Sequence, residues 1–165
     1  MTNARPTRRT VLFGGAALGI AAALPLAARA ANPASPASPK MHVLKDPNCG
    51  CCTAWIDILR AEGFEVTVEA SMGTALARFK TRNGIPRNMI SCHTGTIEGY
   101  MIEGHVPVAD IRRLLDERPE AVGLAVPGMP MGSPGMGPES RRDAYDVHLI
   151  RRDGSTGIFA RYDAA

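Results

Sequence analysis

From residue 40 onward the apolar positions switch between two periods, and the switches mark out the elements. Residues 41–45 form a short apolar run that stops at Asp46-Pro47, as a strand feeding a turn does. From Cys52 on, Trp55, Ile56 and Leu59 recur at helical spacing, and Gly63 supplies a stop. Phe64, Val66 and Val68 alternate with Glu65, Thr67 and Glu69, the period-two signature of a strand with one buried face. A second helix is predicted over 74–83, with Leu76 and Phe79 inward and Gly84 as its cap. Two strands follow, 91–97 and 100–104, around a Glu98-Gly99 turn. Pro107 suits the first turn of a third helix, whose Val108, Ile111, Leu114 and Leu115 face the core and which Pro119 ends.

A Gly/Pro/Met-rich loop then occupies 123–138, and a hairpin pairs 145–151 with 156–162 across Asp153-Gly154. The predicted class is therefore α/β, with the order βαβαββα. That is the thioredoxin-like order, and the C-terminal hairpin and the loop are additions to it. A cysteine cluster falls at the first strand-to-helix junction.

The N-terminus changes the picture of charge and compartment. Thr7-Arg8-Arg9-Thr10 precedes an apolar run over 11–26 and then Ala28-Arg29-Ala30, which reads as an export signal with a small-residue cleavage site. Arg8 and Arg9 with the following Val11-Leu12 resemble a twin-arginine signal, the route for proteins exported already folded. The run is rich in Ala and Gly and falls short of the roughly 20 apolar residues of a membrane span, so no anchor is expected after cleavage. The expected organisation is a signal at 1–30, a flexible Pro/Ser/Ala linker at 31–39, and one domain at 40–165 in the periplasm. Losing Arg5, Arg8, Arg9 and Arg29 takes 19 basic residues to 15 against 16 acidic ones, a net charge of −1. With no basic surface left, nucleic acid is dropped as a partner.

Three of the four cysteines, Cys49, Cys51 and Cys52, lie within four positions. The free N–H groups and dipole at a helix start favour thiolates, which serve both as nucleophiles of disulfide exchange and as metal ligands. Cys49 and Cys52 have the C-x-x-C spacing of redox pairs, yet Cys51 offers a third sulfur that would capture a mixed disulfide. Sulfurs crowded on one turn suit bridging between several soft ions; Cu(I) comes first and zinc second. Cys92, at the start of the third predicted strand, is placed beside the first helix's N-terminus, where all four sulfurs converge; its bland alternative is a buried, inert thiol. Export into an oxidising compartment would tend to pair these cysteines, whereas folding before export would shield them.

The Met-rich segment carries Met129, Met131 and Met136, which are read as a lid or as additional soft ligands. His93, pointing away from Cys92 on a regular strand, and His105, just before the third helix, are read first as structural residues and second as ligands. His42 and His148 receive no role, Arg141-Arg142 and Arg151-Arg152 read as solvated pairs, and Trp55 reads as core under the cluster.

These residues resemble a known family. Cys49-Gly-Cys-Cys-x-x-Trp55, Ser91-Cys-His-Thr94, Gly99-Tyr100, Glu103-Gly-His-Val-Pro107 and the run from Gly123 to Met136 are similar to the exported, thioredoxin-like proteins found with bacterial copper-resistance systems, the CopG type, also known as domain of unknown function 411. The resemblance covers nearly the whole predicted mature chain. It implies copper binding through Cys49, Cys51, Cys52 and Cys92 as a multinuclear Cu(I)–thiolate cluster, and a role in copper tolerance alongside other periplasmic copper-handling proteins. It leaves open whether the copper is only held. The alternative is a thiol-disulfide or copper oxidoreductase working through Cys49 and Cys52.

Overall fold

A computed structural model describes residues 38–165; the expected signal and most of the expected linker lie outside the described residues. The chain starts with β1 (Lys40–Lys45), α1 (Gly50–Ala61), β2 (Glu65–Ala70) and α2 (Gly73–Arg82). It continues with β3 (His93–Ile97), β4 (Tyr100–Glu103), α3 (Val108–Glu117), β5 (Ala121–Ala125), β6 (Tyr145–Arg151) and β7 (Thr156–Tyr162). The result is a mixed α/β fold in which seven strands form one sheet, ordered β2-β1-β3-β4-β5-β6-β7. β1 runs parallel to β2 and antiparallel to β3, β4 runs parallel to β5, and the remaining neighbours are antiparallel. Among the described residues no helix is long and apolar enough to cross a membrane.

The strands alternate their side chains between two apolar clusters, because successive residues of a strand point to opposite faces. Trp55, Ile56 and Leu59 of α1 and Ile111 and Leu114 of α3 pack on Met41, Val43, Ile97, Ile102 and Leu124. On the other face, Met101, Ala125 and Ile150 meet Ile85, Met89 and the partly buried Phe79 of α2. Turn glycines sit where expected: Gly84 after α2 and Gly99 in the β3–β4 turn have φ of 80° and 87°.

Three expectations are corrected. β2, at the edge of the sheet, holds no fully buried residue: Val66 packs on the core only partly buried, and Val68 is 46% exposed. The strand expected from residue 91 begins at His93, which leaves Cys92 just before it. The loop expected from residue 123 begins later, because Gly123 belongs to β5. This glycine hides a strand: a Cβ there would meet Met101 O of β4 at 1.8 Å, so only glycine permits the pairing. β5 also explains the hairpin. β6 pairs with β5 through Leu124↔Leu149 and Ala125↔His148, so the hairpin widens the central sheet.

Candidate metal centre

The centre is built on the turn between β1 and α1. Asp46 closes that turn with one side-chain and one backbone oxygen: Oδ1 accepts from Asn48 N–H at 2.8 Å and the backbone carbonyl accepts from Cys49 N–H at 3.0 Å. Cys49 is the N-cap of α1, and its sulfur receives Cys52 N–H at 3.4 Å. The first turn of α1 holds no acidic residue, so the positive end of the helix dipole faces the sulfurs uncompensated.

The four sulfurs of Cys49, Cys51, Cys52 and Cys92 all lie within 4.8 Å of one another. Cys52 is fully buried, and the other three are partly exposed. Cys49 and Cys52 are joined as a disulfide, while Cys51 and Cys92 are free thiols, with Cys51 Sγ 3.4 Å from Cys49 Sγ. The structure therefore shows the oxidised state of a cluster that the sequence led us to expect as four thiolates. Burial, helped by the nearby charge of Cys51, pushes the Cys92 thiol up to about 11. A soft cation taken by Cys92 at neutral pH displaces its proton.

Both uncommitted histidines meet at Cys92. His93 Nδ1 and His105 Nε2 each lie 3.3 Å from its sulfur, and the three ligand atoms form a second group within 4.8 Å. The expectation that His93 points away from Cys92 fails because Cys92 precedes β3 and escapes its alternation. Both rings are buried, and burial lowers both imidazoles, His93 well below its ordinary range. His105 Nδ1 donates to Pro134 O at 2.8 Å, which fixes the neutral tautomer and leaves the Nε2 lone pair facing Cys92. His93 packs against Trp55, centroids 4.3 Å apart and ring planes tilted by 41°, and its buried Nε2 has no hydrogen-bond partner among the described residues. Trp55 is fully buried beneath and donates to Val106 O at 3.0 Å.

The Met-rich loop closes one side. Gly135, with φ of 85°, lies so close to α1 that a Cβ would meet Trp55 N at 2.7 Å and Cys51 O at 3.0 Å. Met131 and Met136 line a groove of about 470 Å³ with Cys51 and Arg141. Met129 does not line that groove and is 55% exposed. The opposite side opens into a second groove of about 350 Å³, where Cys49 and Cys92 are joined by Asp46 and Met72. Met72 was not foreseen, although a methionine between a strand end and a helix start is the only signal that marks it. His42, by contrast, bonds Thr67 and Glu69 on the outer edge of the sheet.

Soft sulfur and neutral imidazole, with an uncompensated helix dipole behind them, form a donor set for a soft metal ion. Comparison with known proteins leads the same way. The family described as Protein of unknown function, DUF411 matches residues 89–136, a stretch that includes Cys92, His93, His105 and the Met-rich loop. No curated protein sequence matches. Two solved forms of copper resistance protein CopG are each 48% identical to this chain, over 76% of it and 98% of their own length, with TM-scores of 0.70 and 0.71. At that identity and coverage, this chain belongs to the CopG-type family of copper resistance proteins that carries the DUF411 domain.

Proposed function

We propose that this protein binds Cu(I) in the periplasm through Cys49, Cys51, Cys52 and Cys92, and that it serves copper tolerance. The observation that carries the reading is the convergence of four sulfurs from two separate segments within 4.8 Å. A mononuclear zinc site draws on two separated ligand pairs, whereas three sulfurs on one helical turn favour bridging of several Cu(I) ions. His93 and His105 are proposed as further ligands on the Cys92 side, with Met131 and Met136 as a soft cover over Cys51. Met129 has no such support. The relatives' description as copper resistance proteins supports the choice of metal. Export on the twin-arginine route rests on the Arg8-Arg9 segment. The partners in this reading are copper ions and other periplasmic copper-handling proteins.

The frame is read as thioredoxin-like, supported by the β2-β1-β3-β4 order with β1 parallel to β2 and antiparallel to β3. A second reading, a thiol-disulfide or copper oxidoreductase, is favoured by one observation, the Cys49–Cys52 disulfide at the start of α1. Anaerobic Cu(I) titration of the reduced protein with X-ray absorption at the copper edge tests the first reading. Sulfur-dominated coordination and a short copper–copper distance are expected, and binding of less than one copper per chain overturns it. Insulin reduction above a Cys49→Ser control would support the second reading.

A further inference from the structure

Lys80 of α2 and Glu103 of β4 form an ion pair inside the protein, with side chains 3% and 0% exposed and Nζ 2.5 Å from Oε1. Desolvating two charges is costly, and for stability alone an apolar pair of similar size commonly does as well. The pair's other contacts show what it holds. Glu103 Oε1 also accepts Ser91 N–H at 2.6 Å, and Lys80 donates to Ser91 O at 3.1 Å. Glu103 Oε2 accepts from the Thr94 hydroxyl at 2.6 Å. Both backbone polar groups of the residue before Cys92 therefore end on a single ion pair, and the residue two beyond it ends on the same carboxylate.

Cys92 needs such support because β3 starts only at His93, so no sheet pairing holds the cysteine itself. Ser91 is gripped on its side chain too: its hydroxyl donates to Gly128 O at 2.5 Å, tying it to the start of the Met-rich loop. Gly104, next to Glu103, allows this closeness, since a Cβ there would meet Val126 O at 2.5 Å and Ser91 Cβ at 2.6 Å. We propose that Lys80 and Glu103 are positioning residues that clamp the Ser91 backbone and thereby place the Cys92 sulfur against the other three and against His105. The proposal rests on the reading of Cys92 as a site residue, but its first test needs no copper.

That test alkylates the full chain in its Cys49–Cys52 oxidised form with iodoacetamide and follows Cys51 and Cys92 separately by peptide mass. Lys80→Met/Glu103→Leu replaces the pair by an apolar one and is expected to keep a cooperative melt. Its Cys92 is expected to react about tenfold faster, with Cys51 unchanged, as local opening of one segment requires. Glu103→Gln keeps an oxygen for Ser91 N–H but leaves the buried Lys80 ammonium without its counter-charge, so it too is expected to accelerate Cys92 while leaving Cys51 unchanged. An unchanged Cys92 rate, or equal acceleration at Cys51, overturns the clamp. If the double variant does not fold, Lys80→Met, which removes the grip on Ser91 O, decides: a rise confined to Cys92 supports the proposal and no rise overturns it.

A copper arm follows by Cu(I) competition. The double variant is expected to weaken binding in the wild-type background and to change nothing when Cys92→Ser is already present, since the clamp acts through that sulfur. An equal loss in both backgrounds overturns it. Absence of copper binding by wild type would remove the copper reading, and alkylation would still decide the clamp.

Discussion

His105 Nε2 lies 3.3 Å from Cys92 Sγ while the other ring nitrogen donates to Pro134 O. One imidazole thus joins the Cys92 side of the centre to the Met-rich loop, with its free lone pair turned toward the sulfur. On the proposed reading His105→Ala removes a neutral nitrogen donor and loosens the loop. Cu(I) affinity is expected to fall by about tenfold or more, the range seen when groups that orient or complete a metal shell are lost. Competition against a chromophoric Cu(I) chelator measures this, and an affinity equal to wild type removes His105 from the site.

The Cys49–Cys52 disulfide ties up two of the four sulfurs, leaving Cys51, Cys92 and the two histidines as donors. Only thiolates bridge soft ions well, so the oxidised protein is expected to hold fewer Cu(I) ions than the reduced one. Titrating both forms anaerobically, with thiol counting before each run, checks the difference. A Cys49→Ser/Cys52→Ser variant is expected to behave like the oxidised form whatever the redox buffer. Equal stoichiometry in the oxidised and reduced wild type would remove Cys49 and Cys52 from the ligand set.

Much of this centre was legible because its signals are local. Cys49, Cys51 and Cys52 are adjacent in the chain, and the strand-turn-helix pattern around them is enough to place their sulfurs at a helix start. The hairpin ends at Tyr145 and Thr156 were equally readable, since alternation and Asp153-Gly154 mark them. What could not be read depends on contacts between distant segments. β5 was hidden by Gly123, whose reason is the backbone of β4 pressed against it. His93 was misplaced because β3 begins two residues later than expected, so Cys92 lies outside the strand and is free of its alternation. The edge position of β2 and the exposure of Val68 on it depend on sheet order and on what covers the strand rather than on sequence pattern.

Gly135 offers a direct test of the loop's seat on α1. With φ of 85° and a Cβ position only 2.7 Å from Trp55 N, Gly135→Ala combines backbone strain with a collision against backbone atoms. A loss of about 2 kcal/mol is expected, since such strained positions cost about 1–3 kcal/mol each. Gly50→Ala is the control: nothing lies within 4 Å of its Cβ position, and the residue opens α1. That variant is expected to melt at or slightly above wild type, because alanine favours a helix. Calorimetry on both variants checks the pair, and equal melting would mean that the loop is not seated on the helix as described.

Tyr145 and Tyr162 stack with centroids 4.9 Å apart and planes 8° from parallel, and the Tyr162 hydroxyl donates to Asp110 Oδ2 at 2.7 Å. Burial pushes the Tyr145 hydroxyl up to about 12; it raises Tyr162 further, and the Asp110 hydrogen bond and charge add to that rise. The fold therefore favours the protonated phenols. Below the unfolded value of about 10 this contribution is fully present; above it the unfolded chain ionises first, so stability falls as pH rises toward 12. The melting temperature is expected to drop over that window, with tyrosinate absorbance appearing together with unfolding. Tyr145→Phe keeps the stack and is expected to shallow the drop while leaving the neutral-pH melt close to wild type. Tyr162→Phe strips the nearly buried Asp110 of a donor and is expected to lower the melt at every pH. A wild-type melt that stays flat from pH 9 to 12 would contradict the assignment of both shifts.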